Sequence, residues 1–472
     1  MQRVLGNEPA GMERERARTR SQGLATRPSA DRRGAGRGDG ASRSHPQPPE
    51  RGVALAVRRL LGEVADGRLA APPVTVRFWD GSELSADGPA SVVVRDPAAL
   101  VHLLHAPGQL GLARAWVDGS LDVDGDLEDV LRTRAAFRDV QFSAADRARL
   151  GVGALRILGA RLLRPDAVPA IEARPRGRRR SLARDREAVR HHYDVSNRFY
   201  GLVLGPTLVY SCAYFASAQD TLEAAQVRKL ELICRKLQLA EGERLLDIGC
   251  GWGSLVIHAA AHHGVRAVGV TLSEAQAHLA RQRVADAGVA DRVEIRVQDY
   301  REVHDRPFDK IASVGMYEHV GRGELSRYAR AVTTLLRPGG LFLNHGITRL
   351  APHAPEPDPF ISRYVFPDGE LHPVTDIISA VQQAGLEVRD AESLREHYPL
   401  TLRRWVGNLA ANHDEAISEV GPQRERVWRL YMLGAALGFE SGEISVYQVL
   451  AARGGAPHRL PLDRGDLLTG AA

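Results

Sequence analysis

Cysteine is scarce in this chain of 472 residues, which contains only Cys212, Cys234 and Cys250. Three thiols do not make a disulfide framework, and their spacing matches no zinc motif, so the sequence predicts no metal site. Long apolar runs are absent too. No stretch approaches the ~20 apolar residues of a membrane span, and no apolar segment follows the basic N-terminus. These absences predict a protein of the reducing cytoplasm.

Aromatic and β-branched residues are nearly missing from the first 50 residues, which are rich in Arg, Gly, Ser and Pro. A segment of this composition cannot bury enough apolar surface to offset the entropy of ordering. Residues 1–50 are therefore predicted to be a disordered tail.

Neither sign of charge is in large excess, since the formal net charge is +5. The positive excess is concentrated between Arg174 and Arg190. Two interpretations of this basic run stay open, a solvated linker and a contact with an anionic membrane surface. Nucleic acid is not expected as a partner, because no aromatic residues lie between the arginines for bases to stack on.

Residues 51–142 have the pattern of a small α+β domain. Short apolar segments at 74–79 and 91–95 predict strands, with a hairpin turn at Asp80 and Gly81, and 110–119 and 127–137 have helical patterns. No cluster of catalytic residue types occurs here, so binding or dimerisation is the expected role. A basic linker over 143–185, with one helix near 155–163, follows.

Strands and helices alternate between 186 and 455. Strands are predicted at 245–248, 265–272, 293–297, 308–314, 341–345, 386–389 and 444–452, and helices at 254–261, 273–287, 325–336 and 375–384. The alternation predicts a doubly wound α/β sheet of the Rossmann-like type, whose ligands bind beyond the carboxyl ends of the strands. An irregular insertion over 351–373 and a helical one over 395–443 are expected to form a lid or an acceptor pocket. Residues 456–472 are predicted to be a tail.

A glycine-rich turn, LDIGCGWG at 246–253, follows the first of these strands. Gly249, Gly251 and Gly253 let backbone N–H groups approach a ligand at the N-terminus of the next helix. A dinucleotide fingerprint would need a further glycine three residues after the second, and none is there. The pattern Asp-x-Gly-x-Gly-x-Gly is instead typical of the first motif of S-adenosylmethionine (SAM) methyltransferases.

Five segments occur in order along the chain: 192–200 (HYDVSNRFY), 210–215 (YSCAYF), the glycine turn, 316–321 (MYEHVG) and 344–347 (NHGI). Together they closely resemble the cyclopropane-fatty-acyl-phospholipid synthase family, which includes the mycolic acid cyclopropane synthases. The resemblance covers roughly 186–453 and, more loosely, 53–142. It implies a class I SAM methyltransferase domain with helical insertions, preceded by a small α+β domain.

The resemblance also implies a reaction. In that family the sulfonium methyl of SAM is transferred to a cis double bond, and a bound bicarbonate is thought to deprotonate the resulting cation so that a cyclopropane ring closes. The residues implied to hold the bicarbonate are Cys212, Glu318, His345, the backbone of Ile347, and Tyr398. The implied partner is an unsaturated phospholipid, reached by peripheral contact with the inner face of the membrane. A homodimer stays open.

The residues implied to surround SAM are Tyr210, Ser211, Asp247, Gly249, Cys250, Gly251, Trp252, Gly253, Thr271, Leu272, Gln276, Tyr300 and Arg301. The second predicted strand lacks the usual terminal acid that holds the ribose, and Gln276 is the family's neutral replacement. Arg301 stands where the mycolic acid enzymes have an acidic residue, so adenine contacts are expected mainly from the backbone.

Other functions stay open at this stage. The cation could lose a proton elsewhere and leave a methylene- or methyl-branched chain. Small-molecule N-methyltransferases share the scaffold, and a non-catalytic lipid or SAM binder is the alternative from a different class. The presence of Cys212, Glu318 and His345 favours cyclopropanation.

Overall fold

The computed structural model describes residues 52–64, 72–134, 143–163, 168–174, 181, 184–185, 192, 195–350 and 359–469. The predicted tail over 1–50 lies outside the described residues. So does most of the basic run, of which Arg174 and Arg184 are described.

A four-stranded sheet forms the N-terminal part. Its strands β1 (Thr75–Phe78), β2 (Glu83–Leu84), β3 (Ser91–Val94) and β4 (Leu121–Asp124) lie in the order β2-β1-β3-β4. Helices α1 (Gly52–Gly62), α2 (Ala98–His105), α3 (Gln109–Asp118) and α4 (Leu127–Arg132) accompany them. The predicted strands, the hairpin between β1 and β2 and the helix at 110–119 are confirmed. The helix predicted over 127–137 ends at Arg132, and 135–142 lies outside the described residues.

Helix α5 (Ala144–Leu158) begins well before the helix expected near 155, and a 3-10 turn (Gly159–Leu163) follows it. Its start is fixed by a reciprocal cap. The Asp146 N–H donates to Ser143 Oγ at 3.1 Å, and the Ser143 N–H donates to the Asp146 carboxylate at 2.9 Å. This capping box uses Asp where Glu or Gln is the usual partner, which is why the sequence pattern was missed.

A seven-stranded sheet forms the larger part. Its strands are β5 (Arg244–Ile248), β6 (Arg266–Thr271), β7 (Val293–Val297), β8 (Phe308–Val314), β9 (Leu336–Arg349), β10 (Leu386–Ser393) and β11 (Ile444–Arg453). They lie in the order β10-β11-β9-β8-β5-β6-β7, and β11 alone runs antiparallel to both its neighbours. The helices are α6 (Asn197–Leu204), α7 (Leu222–Lys236), α8 (Ser254–His263), α9 (Glu274–Asp286), α10 (Leu325–Leu335), α11 (Val374–Gln383), α12 (His397–Ala411), α13 (His413–Glu440) and α14 (Arg464–Thr469). The predicted doubly wound sheet is confirmed.

Each face of this sheet has its own core. Leu245 and Leu246 are both fully buried, and they belong to different apolar clusters because successive side chains of a strand point to opposite faces. Helices cover both faces, so the central strands are apolar throughout. Since β5 has β6 on one side and β8 on the other, the chain reverses its winding direction there and leaves a crevice beyond the end of β5.

Strand β9 differs from its prediction at both ends. It begins at Leu336 rather than after Pro338, because residues 337–340 form a bulge where the register against β8 jumps from Leu336 to Leu341. Proline lacks an N–H and is tolerated in such a bulge. The strand also continues to Arg349, because the antiparallel β11 pairs with it along its whole second half. His345 therefore lies inside the strand and not at its end.

The predicted helical insertion consists of α12 and α13. The N-terminal part packs against α13 through Trp116 of α3 and Arg426 of α13. The indole N–H of Trp116 donates to the Arg426 carbonyl at 2.9 Å, and the guanidinium lies 3.9 Å from the ring centroid. Such a stacked cation contributes about 0.5–2 kcal/mol.

The predicted C-terminal tail contains α14, whose Leu467 is 6% exposed and belongs to the same apolar cluster as α7. Among the helices of the described residues, none is long and apolar enough to cross a bilayer.

Candidate functional site

The glycine turn begins where β5 ends. Gly249, Gly251 and Gly253 have φ angles of 83°, 54° and 79°, a region that residues with a Cβ rarely occupy. The N–H groups of Gly249 and Cys250 donate to the carbonyl of Val270 in β6, at 2.9 and 3.0 Å. Gly253 then caps α8. The turn and the N-terminus of α8 thus border a cavity beyond the ends of β5 and β6.

The end of β6 and the start of α9 form a second wall of this cofactor cavity. Thr271 Oγ1 donates to Gln276 Oε1 at 2.8 Å, and both side chains are buried. Ser273 caps α9 by accepting the Gln276 N–H at 3.2 Å. The amide of Gln276 is therefore fixed on the cavity wall.

A third wall follows β7. The Asp299 carboxylate accepts from the backbone N–H and from Nε of Arg301, at 2.9 and 2.8 Å. Arg301 Nη2 also donates to Asp185 at 2.9 Å, and the adjacent Arg184 donates to Asp368 at 2.8 Å. The guanidinium of Arg301 is thus engaged by carboxylates, and the contact of adenine mainly with backbone stays a prediction.

A buried charge pair lies in the cofactor cavity. Lys229 of α7 is 2% exposed, and its Nζ donates to Ser211 Oγ at 2.9 Å. Asp247 of β5 is also 2% exposed, and its Oδ1 has no hydrogen-bond partner in the described part of the chain. Burial lowers the pKa of Lys229 to about 8 and raises that of Asp247 to about 7, and their opposite charges offset part of both shifts. The cavity therefore offers one unpaired carboxylate oxygen to a cationic ligand group.

The residues predicted to bind the cofactor come together here. Lining the cavity are Tyr210, Ser211, Asp247, Gly249, Cys250, Gly251, Trp252, Thr271, Leu272, Gln276, Tyr300 and Arg301. Gly253 does not line the cavity and instead forms the end of the turn, at the N-cap of α8.

The predicted anion-binding residues lie elsewhere. Glu318 is 7% exposed and sits in a short 3-10 turn after β8 (Tyr317–His319). Its Oε1 accepts the Ile347 N–H at 2.6 Å, and the Tyr317 hydroxyl donates to the Ile347 carbonyl at 2.9 Å. Burial raises the pKa of Glu318 to about 7, although the bond from Ile347 lowers it in part. Oε2 of Glu318 has no hydrogen-bond partner among the described residues.

His345 lies two residues before Ile347 on β9 and is 2% exposed. Its Nδ1 lies 3.2 Å from the Nε2 amide of Gln448 in β11 and accepts from it. That bond leaves the ring proton on Nε2, which has no partner within the described ranges. Burial lowers the pKa of His345 well below its usual value, and the charges of Lys229 and Lys236 act the same way. His345 is therefore a neutral N–H donor.

Cys212 and Tyr398 come from two other elements. Cys212 is fully buried, and burial raises the pKa of its thiol. Tyr398 lies in the first turn of α12, with its ring 4.5 Å from that of Phe439. Both belong to one apolar cluster, against which Ile347 packs. The structure thus joins Glu318 to Ile347 by a hydrogen bond, and links Cys212 and Tyr398 to Ile347 through shared packing.

An aromatic cluster connects the cofactor cavity to the insertion helices. Trp252 of the glycine turn lies 4.6 Å from Tyr200, whose ring is 5.3 Å from that of Trp428 in α13. Tyr210 lies 5.3 Å from Trp405 of α12 and 5.6 Å from Trp428. This cluster is apolar, and ring faces of this kind stabilise a nearby cation.

Sequence reasoning missed several residues of this site. Lys229 could have been found as a charge on the buried face of α7, four residues before Ile233. Asp299 follows β7, whose strand was predicted correctly, but it was not named as a site residue. His319, which was not among the predicted site residues, lines the cofactor cavity, whereas Glu318 lies outside its lining.

The fold and the cofactor cavity define a doubly wound SAM-dependent methyltransferase. Comparison with known proteins gives the particular family. A family model described as mycolic acid cyclopropane synthetase matches residues 180–449, and the chain belongs to that family.

The chain matches two relatives over nearly their whole length. The chain is 42% identical over 393 residues to a probable fatty acid methyltransferase of Mycobacterium tuberculosis, which is 81% of this chain and 91% of the relative. It is 33% identical over 381 residues to the cyclopropane-fatty-acyl-phospholipid synthase of Escherichia coli, 79% of this chain and 91% of the relative. Among solved structures, mycolic acid cyclopropane synthase CmaA1 in complex with SAH (S-adenosylhomocysteine) and CTAB is similar with a TM-score of 0.54 and 33% identity, over 57% of this chain and 98% of that one.

Proposed function

We propose that this methyltransferase transfers the methyl group of SAM to a cis double bond in the acyl chain of an unsaturated phospholipid and closes a cyclopropane ring. The observation that carries the proposal is a pair of buried polar atoms, Glu318 Oε2 and His345 Nε2, that have no hydrogen-bond partner among the described residues. Buried polar groups normally have partners, so an unpaired acceptor and an unpaired donor on neighbouring segments favour a small polar ligand.

Bicarbonate fits this pair. It carries one O–H donor, which a carboxylate can accept, and oxygens that accept from an imidazole N–H. When bound, it would supply a base for the proton that the cation loses. Glu318 and His345 would orient it, and neutral His345 would give a hydrogen bond without giving up a proton. Cys212 and the Tyr398 hydroxyl are assigned to the same ligand by resemblance.

The cofactor side would be held by the glycine turn and the charge pair. The unpaired Oδ1 of Asp247 would accept from the ammonium group of SAM, while Lys229 keeps that carboxylate ionised near neutral pH. The acyl chain would lie along the aromatic cluster, where Trp252, Tyr200 and Trp428 exclude water from the reacting carbons.

The proposed reaction has two steps, methyl transfer and ring closure. The π electrons of the alkene form a new C–C bond to the methyl carbon, and the S–C bond breaks to leave S-adenosylhomocysteine. A C–H bond of the transferred methyl next gives up its proton, and its electron pair closes the ring. A positioned base contributes ~10²–10⁴-fold to such a step.

The test is mass spectrometry of the fatty-acid methyl esters after incubation with methyl-deuterated SAM and liposomes carrying cis-monounsaturated chains. Cyclopropanation predicts a product heavier by one methylene that keeps two of the three deuterium atoms and resists hydrogenation. A product that keeps all three deuterium atoms, or takes up hydrogen, contradicts ring closure. If SAM binds but no product forms, the proposal that an unsaturated phospholipid is the acceptor is contradicted.

A second ending has its own support, because the relative at 42% identity is named a fatty acid methyltransferase. In this alternative the first step is the same. A hydride shift to the cationic carbon and loss of a proton from the transferred methyl give a methylene branch, whereas loss of a proton from a neighbouring chain carbon gives a methyl-branched alkene. Activity that is independent of added bicarbonate in degassed buffer, with an unsaturated branched product, favours this ending.

We also propose peripheral contact with an anionic membrane surface. The support is the basic run between Arg174 and Arg190 together with exposed apolar side chains on α3 and α5, where Leu112, Val152 and Leu155 are 45%, 50% and 48% exposed. Each basic residue near such a surface contributes about 1 kcal/mol. Flotation with anionic liposomes that weakens in salt is expected, and binding unchanged after neutralising the arginines contradicts the proposal.

A further inference from the structure

A second cluster of chemistry-bearing side chains lies between α7 and α8, apart from the residues assigned to the reaction. Cys234 of α7 and two histidines of α8, His258 and His263, place their ligand atoms within 4.8 Å of one another. Glu231, one helical turn before Cys234, places Oε2 3.1 Å from Nε2 of both histidines. Three side chains of metal-binding type thus lie together, and the carboxylate of Glu231 contacts two of them.

The spacing is close to that of a tetrahedral site. With zinc–nitrogen and zinc–oxygen bonds of about 2.0–2.1 Å, neighbouring ligand atoms of a tetrahedron lie about 3.3 Å apart, and a sulfur and a nitrogen about 3.5 Å apart. The two contacts of Glu231 already have this length. The Cys234 thiol lies within 4.8 Å of a ligand atom of each histidine, so it would have to move closer to complete the tetrahedron.

The surroundings support a ligand-binding arrangement. Cys234 is fully buried at the base, whereas the side chains of His258, His263 and Glu231 are 10%, 20% and 26% exposed and leave an entry path. Arg235 Nε donates to the other carboxylate oxygen of Glu231 at 2.8 Å. This outer contact turns Oε2 towards the imidazoles, as second-shell partners do in metal sites.

We propose that Glu231, Cys234, His258 and His263 form a structural site for a zinc-like divalent transition metal that fastens α7 to α8. A soft thiolate with imidazoles and a carboxylate suits zinc rather than magnesium or calcium. On binding, the Cys234 thiol releases one proton and forms the metal–sulfur bond, and each imidazole moves its proton to Nδ1 and binds through Nε2. Thiolate and carboxylate neutralise the two charges of the metal, and no redox change is involved.

The site is not evident from the sequence because its ligands come from two helices separated by the glycine turn. The two histidines proposed as ligands, His258 and His263, are five residues apart and do not have the i,i+4 spacing of a helical zinc motif. A metal here would restrain α7, the helix that carries Lys229 into the cofactor cavity.

The test is zinc titration of the full-length protein, stripped with a chelator, in competition with a chromophoric chelator. One tightly bound equivalent is expected, and thermal unfolding should shift to higher temperature with zinc. Cobalt(II) in place of zinc should give a thiolate-to-cobalt charge-transfer band, which reports Cys234 directly.

Two variants and one control complete the design. Cys234→Ser should abolish the charge-transfer band, and His263→Gln should lower zinc affinity at least tenfold. His263 is at the rim, so this variant keeps the test meaningful if Cys234→Ser fails to fold. His278→Gln removes an exposed histidine of α9 and should change neither readout. Absence of a stoichiometric equivalent, absence of the band, or equal losses in His263→Gln and His278→Gln would overturn the proposal.

Discussion

Replacing Glu318 by Gln should stabilise the protein while abolishing its activity. Gln keeps the shape of the side chain and an Oε1 that can accept the Ile347 N–H, now at 2.6 Å. It removes the charge of a carboxylate that is buried without a full set of partners. Catalysis would lose a group that orients the base, and folding would lose an unfavourable buried charge.

The magnitude follows from the pKa of Glu318. Burial raises it from the ordinary 4.5 to about 7 in the folded protein, and each pKa unit corresponds to about 1.4 kcal/mol, so ionisation costs folding about 3 kcal/mol. Because the pKa of Glu318 is higher in the folded protein, its protonated carboxyl makes its full contribution to the free energy of unfolding below the unfolded pKa. That contribution is lost as the pH rises through the folded pKa. The variant should therefore exceed the wild type by about 3 kcal/mol in free energy of unfolding near pH 8.5, and by less than about 0.5 kcal/mol near pH 4.5.

The assay is urea unfolding of both proteins without ligand at the two pH values, alongside product analysis with SAM and liposomes. Glu387→Gln is the matched control, because its carboxylate is 62% exposed and pairs with Arg389 at the surface. That control should change stability by less than about 1 kcal/mol at either pH. A Glu318→Gln variant that is no more stable than the wild type near pH 8.5, or whose advantage persists near pH 4.5, would refute the reasoning.

Three further predictions follow from buried groups. Cys212, Cys234 and Cys250 are all buried, and burial raises the pKa of each thiol. The native protein should therefore react slowly with Ellman's reagent, and all three thiols should react in denaturant. A thiol that reacts fast in the native protein contradicts this. Lys229→Met should weaken SAM binding by about tenfold or more, because Asp247 loses its charge partner and its pKa rises above about 7. Calorimetry at several pH values should show that the wild-type affinity for SAM rises as Asp247 ionises. The pH midpoint of this rise should be higher in the variant, and an unchanged midpoint excludes the pairing of Lys229 with Asp247. Gly346→Ala would place a Cβ 2.0 Å from the Tyr317 ring and should lower the free energy of unfolding by about 1–3 kcal/mol in urea. The control Gly407→Ala, with open space on α12, should be neutral or stabilising by up to about 1 kcal/mol, and equal effects of the two would count against the close contact.

Local signals were sufficient for most of the large sheet. The predicted strand over 308–314 was observed as β8 with the same bounds, because its apolar residues Phe308, Ile311 and Ala312 are typical of a strand buried on both faces. The glycine turn was equally direct, since its positive φ angles need glycine at fixed positions. Boundaries failed where distant segments decide them. Strand β9 extends to Arg349 only because β11, about a hundred residues later, pairs along it.

The candidate site divides in the same way. Its residue types could be named from motifs, and the structure places the predicted cofactor residues around one cavity, apart from Gly253. The partners of those residues could not be named. Lys229 becomes part of the cavity through the packing of α7 on the end of β5, and Gln448 sets the proton on His345 through a strand pairing.

The sequence by itself determined the class of fold, the place of the cofactor and the family, because strand patterns, glycine conformations and short motifs are local properties of the chain. Only the tertiary structure decided which buried groups share a site. Glu318 and Ile347 lie 29 residues apart in the chain and meet through a hydrogen bond, and α7 and α8 bring Cys234 next to His258 and His263. Burial and charge pairing arise when such segments pack, so the pKa of Glu318 and of Asp247 is a property of the folded molecule.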